Sequence, residues 1–347
     1  MSFIVRSCKR EDVGDLFDLA KQFTLLNLPT EKKALSTKIE GSVESFLGKQ
    51  SKAESEYLFV LEDTEEQSVI GSSLIMAKHG TEAIPHSYFK IVKKNLYSED
   101  LGLGFIHQVL QFQMDTDGPS EIGGLLVNRM YRRRPEKLGK QISLTRFVFM
   151  AMEPQRFEKR VLCELTPPLT EEGRSEFWEA LGRRFTGLPY QEADLLSRTH
   201  KEFISSLFPT DDIYLALLDA KARLVVGRVG EQTKPAQHLL ESIGFEYLDE
   251  VDPFDGGPHY GCDVAKIRPV KECQSFQVQE FKDASYKQNG IIASFADGEF
   301  ISTVCPYDAR GSEVSLPPGT RQLLNLDLGQ KISISPLNYT HPGKELT

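Results

Sequence analysis

Residues 121–152 have the sequence EIGGLLVNRMYRRRPEKLGKQISLTRFVFMAM, and this stretch decides how the chain is predicted to fold. The apolar run Ile122 to Val127 predicts a short buried strand, and the apolar run Ile142 to Met152 predicts a helix. The loop between them carries six cationic side chains, namely Arg129, Arg132, Arg133, Arg134, Lys137 and Lys140. Such a loop can bind an anion, because the first amides of the following helix have no intrahelical partner. The stretch therefore predicts a phosphate site.

The composition is that of a globular protein: 347 residues, 40% of them hydrophobic, leave room for about two domains. No run approaches the ~20 apolar residues of a membrane helix, and the N-terminus lacks the apolar core of a signal peptide. The expected location is therefore the cytoplasm, without a membrane partner. The net charge of -9 argues against a nucleic-acid partner, since that binding depends on a basic surface. Five scattered cysteines predict neither a disulfide framework nor a metal site.

Hydrophobic patterning predicts a strand, two amphipathic helices and an antiparallel hairpin at 57–61 and 69–76. Residues 77–119 are predicted to be irregular with local strands. A buried strand at 160–165 then precedes a helix from about Glu171 to Leu181, which Gly182 is expected to end in a left-handed conformation.

A second copy of this pattern occurs later, because residues 239–247 align with residues 177–185 up to a shared glycine. A strand predicted at 222–229 precedes the second copy. We therefore expect a duplicated α/β protein with one half at 1–190 and the other at 191–270. Residues 271–347 alternate short apolar runs with Gly and Pro turns, which predicts a small β-rich, barrel-like extension.

The order of these elements resembles the Gcn5-related N-acetyltransferase (GNAT) superfamily, an α+β fold in which the loop after a central strand holds the pyrophosphate of acyl-coenzyme A. The motif of that loop is R/Q-x-x-G-x-G/A. Arg134 and Gly139 match its first and last positions, and Lys137 stands where the first glycine is usual. The resemblance implies a CoA-binding role for Arg134, Lys137, Gly139 and Lys140.

A closer resemblance, over about Val5 to Val270, is to the arginine N-succinyltransferase family. The segments that carry it are Val60–Asp63, Arg146–Ala151, Phe177–Trp178, Leu181–Gly182, Gln232–Thr233, Pro235–Ala236, Phe254–Pro258 and Cys262–Asp263. The resemblance implies that Leu125 contacts succinyl-CoA, and we expect Asp255, Gly256 and Gly257 to face the acceptor substrate.

The chain departs from this family at its proton donor, a histidine in a V-G-x-V-H-x-Q-T segment. Here the segment is Val226-Gly-Arg-Val-Gly-Glu-Gln-Thr233, with Gly230 in the place of the histidine. An amino-acid amine must lose a proton before it can attack a thioester, and glycine cannot accept one. The catalytic group is therefore unknown from the sequence, and Glu231 and His259 are the candidates to test.

The sequence thus predicts a cytoplasmic, metal-independent acyltransferase that moves succinate from succinyl-CoA to the α-amine of arginine, in arginine catabolism. Two alternatives remain open: a diverged enzyme that acts on ornithine or another amine, and a noncatalytic subunit that binds CoA or an amino acid. The family resemblance also implies a homo- or hetero-oligomer.

Overall fold

A computed structural model describes residues 2–22, 28–197 and 202–339. Its strands are β1 (Phe3–Ser7), β2 (Glu56–Asp63), β3 (Ser68–Met76), β4 (His86–Ser98), β5 (Leu103–Asp115), β6 (Ser120–Val127), β7 (Arg160–Glu164), β8 (Ile213–Tyr214), β9 (Glu246–Val251), β10 (Pro258–Asp263), β11 (Gln274–Gln279), β12 (Gln288–Ala296), β13 (Glu299–Arg310), β14 (Glu313–Ser315) and β15 (Lys331–Pro336). Its helices are α1 (Val13–Ala20), α2 (Lys32–Phe46), α3 (Leu138–Met152), α4 (Glu176–Ala180), α5 (Gly182–Thr186), α6 (Tyr190–Ser197), α7 (Glu202–Leu207), α8 (Ala220–Val225), α9 (Lys234–Ser242), α10 (Arg268–Lys271) and α11 (Pro318–Leu323).

In the described ranges these strands form one continuous sheet in the order β12-β15-β11-β14-β13-β1-β2-β3-β6-β7-β10-β9-β4-β5-β8. The predicted strand, loop and helix of residues 121–152 lie at its centre as β6, the cationic loop and α3. The buried face of α3 packs on β6, β3 and β2, in a core that includes Ile142, Phe147 and Phe149. Burial of this apolar face provides most of the stabilisation of such a helix.

The two central strands, β6 and β7, are parallel but pair only at their first residues. Ser120 pairs with Val161 and Glu121 pairs with Leu162, and the strands part beyond that point. We call this opening the fork. On its other edge β6 pairs with β3, and there the register shifts between Ser72 and Leu74, opposite residues 123–126. The resulting bulge contains Gly124, whose φ of +58° favours glycine.

Three local predictions are wrong. Residues 77–119 are not mainly irregular, because β4 and β5 form a long hairpin paired from His86–Asp115 to Ser98–Leu103. Residues 220–225 form helix α8 rather than a strand, since a short apolar run fits either structure. Gly182 does not end a helix in the left-handed region but begins α5; a Cβ there would lie 2.3 Å from Cε3 of Trp178. The left-handed residue is Gly187.

The C-terminal strands close into a small barrel, because β12 pairs with both β15 and β13. β13 also pairs with β1, so the barrel continues the central sheet. The predicted architecture is confirmed: helices and strands combine in an α+β fold with a β-rich extension. Residues 340–347 of that extension lie outside the described ranges, and the division at 190 and 270 stays a prediction. Within the described residues, no helix is long and apolar enough to cross a membrane.

Candidate active site

The cationic loop wraps around the N-terminus of α3. Asn128 begins it by accepting a hydrogen bond from the amide of Met130, and Lys137 ends it as the N-terminal flanking residue of α3. Lys137 has φ +52° and ψ +48°, in the left-handed region. A glycine adopts that conformation without steric cost, which explains why the superfamily motif usually has glycine at this position. Lys137 therefore has a backbone conformation that glycine favours.

Arg134 is held by aromatic rings rather than extended into solvent. Its guanidinium carbon lies 4.3 Å from the ring centre of Tyr131, whose hydroxyl donates to Asp63 Oδ2 at 3.1 Å. Lys140 points out from the first turn of α3 and donates to Asn338 Oδ1 at 3.3 Å. Burial and the neighbouring charge of Lys137 lower the pKa of Lys140. The loop thus presents several cations around one helix N-terminus, an arrangement that binds phosphate.

Leu125 lies on β6 at the bulge, and so at the edge of the fork. Its side chain is half-buried and packs against the central core. Gly139, in the first turn of α3, leaves ordinary space around its Cα, since an added Cβ would approach only Val127, at 3.9 Å. The predicted acyl end and phosphate end of the cofactor site therefore lie on two consecutive elements, β6 and α3.

Gly230 lies beside the C-terminal end of β7. Its amide donates to the carbonyl of Thr166 at 2.9 Å, and an added Cβ would lie 2.8 Å from the carbonyl oxygen of Pro167. A histidine therefore does not fit this backbone without a shift of the segment after β7. The neighbouring Glu231 points into solvent and away from the end of β7. Its side chain is 83% exposed and forms an ion pair with Lys234.

The Asp255–Gly257 turn meets the same end of β7. The amide of Gly257 donates to Asp255 Oδ1 at 2.7 Å, and an added Cβ on Gly257 would lie 2.4 Å from the carbonyl oxygen of Leu165. Gly256 has φ +76°. The backbone conformation of Gly256 and the close contact of Gly257 therefore each favour glycine at these positions. The turn also lies next to the fork.

A buried cluster of histidines and carboxylates lies beside these residues. We call it the histidine–carboxylate cluster, and its members are His79, His86, Glu121, Glu164, Glu250, Asp252 and His259. His259 on β10 pairs with Glu164 at the end of β7, so both side chains are on one face of the sheet. Nε2 of His259 lies 3.7 Å from Glu164 Oε1, and Nδ1 lies 3.9 Å from Glu250 Oε2.

The rings of the three histidines contact one another in a row, with His86 between His79 and His259. The rings of His259 and His86 are 5.4 Å apart and nearly parallel, and those of His86 and His79 are 4.4 Å apart and perpendicular. Nδ1 of His79 is in contact with a carboxylate oxygen of Glu121 on β6. His259 is completely buried, and neither of its ring nitrogens has a hydrogen-bond partner of good geometry. The cluster therefore runs from β6 to β10 across the base of the fork.

Burial and the nearby charge of Glu121 raise the pKa of Glu164 to about 7. Burial lowers the pKa of His259, but Glu250, Glu164 and Asp252 outweigh it and raise that pKa overall. Burial raises the pKa of Glu250, but the nearby His259 and Lys90 lower it overall. His259 and Glu250 are thus held as an ion pair, and Glu164 is ready to exchange a proton near neutral pH.

Two overlapping groups in the cluster could hold a metal ion. Donor atoms of His79, His86 and Glu164, and those of Glu164, Asp252 and His259, lie within 4.8 Å of one another. Histidine nitrogens with carboxylate oxygens are ligands typical of divalent transition metals. The sequence predicted no metal, and that remains a prediction.

Comparison with known proteins identifies the family. The model of the family described as arginine N-succinyltransferase beta subunit matches residues 3–269. The chain belongs to this family. It is 32% identical over 300 residues to the arginine N-succinyltransferase of Photorhabdus laumondii, with 86% of each chain covered. It is 34% identical over 284 residues to that of Shigella boydii, with 81% of this chain and 82% of the relative covered.

A solved structure supports the same assignment. The arginine/ornithine succinyltransferase subunit AI of Pseudomonas aeruginosa superposes with a TM-score of 0.84 at 26% identity, over 97% of this chain and 99% of that chain. The family resemblance inferred from the sequence is therefore confirmed.

The histidine–carboxylate cluster was largely missed from the sequence. His259 was a candidate, but Glu164 was not, and the structure places the two together. One signal was available: Glu164 is a charged residue within the otherwise apolar run Val161–Leu165. A carboxylate in such a strand must be paired or functional, because burial of an isolated charge is costly.

Proposed function

We propose that this protein transfers the succinyl group of succinyl-CoA to the α-amine of arginine or a related basic amino acid. The observation that carries the proposal is the fork between β6 and β7, which has a cationic loop at one end and a proton-accepting carboxylate at the other. The names of its relatives in the same family give the acyl group and the acceptor class.

The phosphates of CoA would bind at Arg134, Lys137, Gly139 and Lys140. The unpaired amides of the first turn of α3 would add neutral donors to these charges. From there the pantetheine arm would extend into the fork toward Leu125, which places the thioester beside the bulge of β6.

We assign the proton acceptor to Glu164. An ammonium group that enters the fork transfers a proton to the Glu164 carboxylate, and the free amine then attacks the thioester carbonyl carbon. The tetrahedral intermediate collapses as the carbon–sulfur bond breaks, and the proton that the attacking nitrogen loses goes to the CoA thiolate. The products are the N-succinyl amino acid and free CoA. A carboxylate with a pKa of about 7 suits this role at neutral pH.

His259 is a positioning residue in this mechanism. It is fully buried between Glu164 and Glu250, so it reaches the acceptor only through Glu164. Its charge stabilises the deprotonated form of Glu164, because the two groups are 3.7 Å apart. The turn Asp255–Gly257 borders the same space, where the carboxylate of Asp252 would favour a cationic acceptor side chain; burial and the charge of Asp252 raise the pKa of Asp255.

The test is to incubate the purified protein with succinyl-CoA and a panel of amines while following free thiol. We expect thiol release with arginine or ornithine, and a weaker affinity for CoA in Arg134→Ala. No release above hydrolysis with any amine would overturn the proposal. A loss of activity with a chelator, restored by a divalent metal, would reassign the cluster as a metal site.

The second candidate function is a noncatalytic subunit that binds CoA or an amino acid, which Gly230 favours because the family histidine is missing. It predicts a measurable dissociation constant for CoA without turnover.

We also propose that the protein self-associates, because the tip of the β4–β5 hairpin exposes Leu101, Phe105 and Ile106. Light scattering of the wild type and of Ile106→Lys tests this assembly.

A further inference from the structure

Among the described residues, Arg146 is a buried cation without an anionic partner. It lies in the middle of α3 and is only 2% exposed. Its guanidinium donates to the carbonyl of Ser143 at 3.1 Å, to the hydroxyl of Ser143 at 2.8 Å and to the carbonyl of Gly123 at 3.3 Å. All three acceptors are neutral. Within residues 2–22, 28–197 and 202–339, no carboxylate forms an ion pair with it.

The nearest titratable group does not neutralise this charge. Burial raises the pKa of the Cys163 thiol to about 12, so that group is uncharged at neutral pH. Burial lowers the pKa of Arg146 to about 10, which still leaves the guanidinium protonated. A buried charge is costly unless it is paired, and the three neutral hydrogen bonds compensate only part of that cost. The fold therefore maintains an uncompensated positive charge.

The position of this charge is at the acyl end of the proposed cofactor site. Gly123, which accepts from Arg146, is on β6 beyond the last residue that pairs with β7, and Leu125 follows two residues later. Cys163, whose pKa responds to Arg146, is on β7 at the opposite edge of the fork. Along α3, nine residues separate Arg146 from Lys137, a rise of about 13 Å. The charge is thus deep in the fork, away from the phosphate loop.

We infer that Arg146 binds the free carboxylate of the succinyl group and so selects dicarboxylic acyl-CoA donors. This inference rests on the proposed function, because it assumes that an acyl-CoA enters the fork. A guanidinium has five N–H donors in a planar fork that suits a carboxylate, and three of these bonds are accounted for above.

The alternative role for Arg146 is structural, as a brace that ties α3 to β6. The two roles make different predictions. Loss of a brace would weaken all acyl donors alike, whereas loss of a carboxylate partner would weaken only donors that carry the negative charge.

The experiment compares succinyl-CoA with acetyl-CoA in the wild type, Arg146→Gln and Arg146→Lys. For Arg146→Gln we expect kcat/KM with succinyl-CoA to fall on the order of 100-fold, as for the loss of one partner of a buried charge pair. Acetyl-CoA turnover and the Kd of unacylated CoA should change less than about threefold, because neither ligand carries the carboxylate that Arg146 is inferred to bind. Arg146→Lys should recover part of the loss. An equal fall for both donors, or none for succinyl-CoA, would overturn the inference.

Binding measurements keep the test valid if the variants fold poorly or if no acyl-CoA is turned over. Wild-type protein is titrated with a CoA thioether whose chain ends in a carboxylate, and with its methyl ester. We expect the carboxylate to bind more tightly, on the order of 100-fold. Equal affinities would overturn the inference, even where the proposed function fails. Turnover without this preference would instead leave the proposed function in place.

Discussion

The cationic loop and the histidine–carboxylate cluster are the two ends of the proposed site, but they are built in opposite ways. The loop is a single continuous segment, is largely exposed, and takes its chemistry from residue types that neighbour each other in the sequence. The cluster combines side chains from β4, β6, β7, β9, β10 and two connecting loops, and its members are buried or half-buried. Charge in the loop is solvated, whereas charge in the cluster is held in a low-dielectric interior.

This difference in burial predicts how strongly substitutions in each region should affect activity and binding. Exposed cations in water contribute small, additive amounts to binding and are screened by salt. Buried groups interact strongly, so their pKa values move and each depends on the others. Substitutions in the cluster should therefore change turnover by orders of magnitude, whereas substitutions in the loop should change affinity by small factors.

The largest expected effect is that of Glu164→Gln. Removal of the proton acceptor should lower kcat by about 10² to 10⁴, with little change in the Kd of CoA, since the loop is untouched. In the wild type, kcat should fall as the pH drops through about 7, because only the deprotonated carboxylate accepts a proton. The variant should lose this pH dependence. The matched control is Glu231→Gln, an exposed glutamate that should keep wild-type kinetics; equal losses in both variants would reject the assignment.

Glu164→Gln should lower activity but raise the stability of the folded protein at high pH. The pKa of Glu164 is about 7 in the folded protein and 4.5 as the reference value, so the native state binds the proton more tightly. This group's contribution to stability is complete below pH 4.5 and is lost as the pH rises to about 7. Glu164→Gln should therefore be more stable than the wild type at pH 8, on the order of 3 kcal/mol, and similar at pH 4.5. Urea unfolding at both pH values measures the difference. A less stable variant at pH 8 would mean that Glu164 is stabilised as an anion.

The sequence predicted the loop well because its determinants are local. Arg134, Lys137 and the apolar runs on either side are close in the chain, and helix and strand patterns could place them on consecutive elements. The partnership of Glu164 with His259 was not predictable in the same way. It depends on the register between β7 and β10, and six of the described helices, α4 to α9, lie between these strands in the chain. The positions of His79 and His86 beside His259 were likewise not predicted, because the β4–β5 hairpin, which carries His86, was not recognised in the sequence.

Gly230 was located by the sequence, but its surroundings were not. Gly230→Ala places a Cβ 2.8 Å from the carbonyl oxygen of Pro167 and should destabilise the protein by about 1–3 kcal/mol. Gly41→Ala is the matched control, because that glycine lies within α2 and an added Cβ has nothing within 4 Å. The control should gain up to about 1 kcal/mol from helix propensity. Thermal unfolding of the two variants measures the expected loss and the expected gain of stability. If Gly230→Ala is as stable as the wild type, the segment after β7 shifts at little energetic cost.

The smallest expected effect separates backbone shape from charge at Lys137. Both Lys137→Ala and Lys137→Gly remove the cation, so both should weaken CoA binding by about threefold at low salt and less at high salt. Only glycine relieves the left-handed backbone at φ +52°, so the glycine variant should be more stable than the alanine variant by about 1 kcal/mol. If glycine instead tightens CoA binding relative to the wild type, closer approach of the backbone to phosphate outweighs the lost charge. In that case the loop, like the cluster, would depend on geometry more than on net charge.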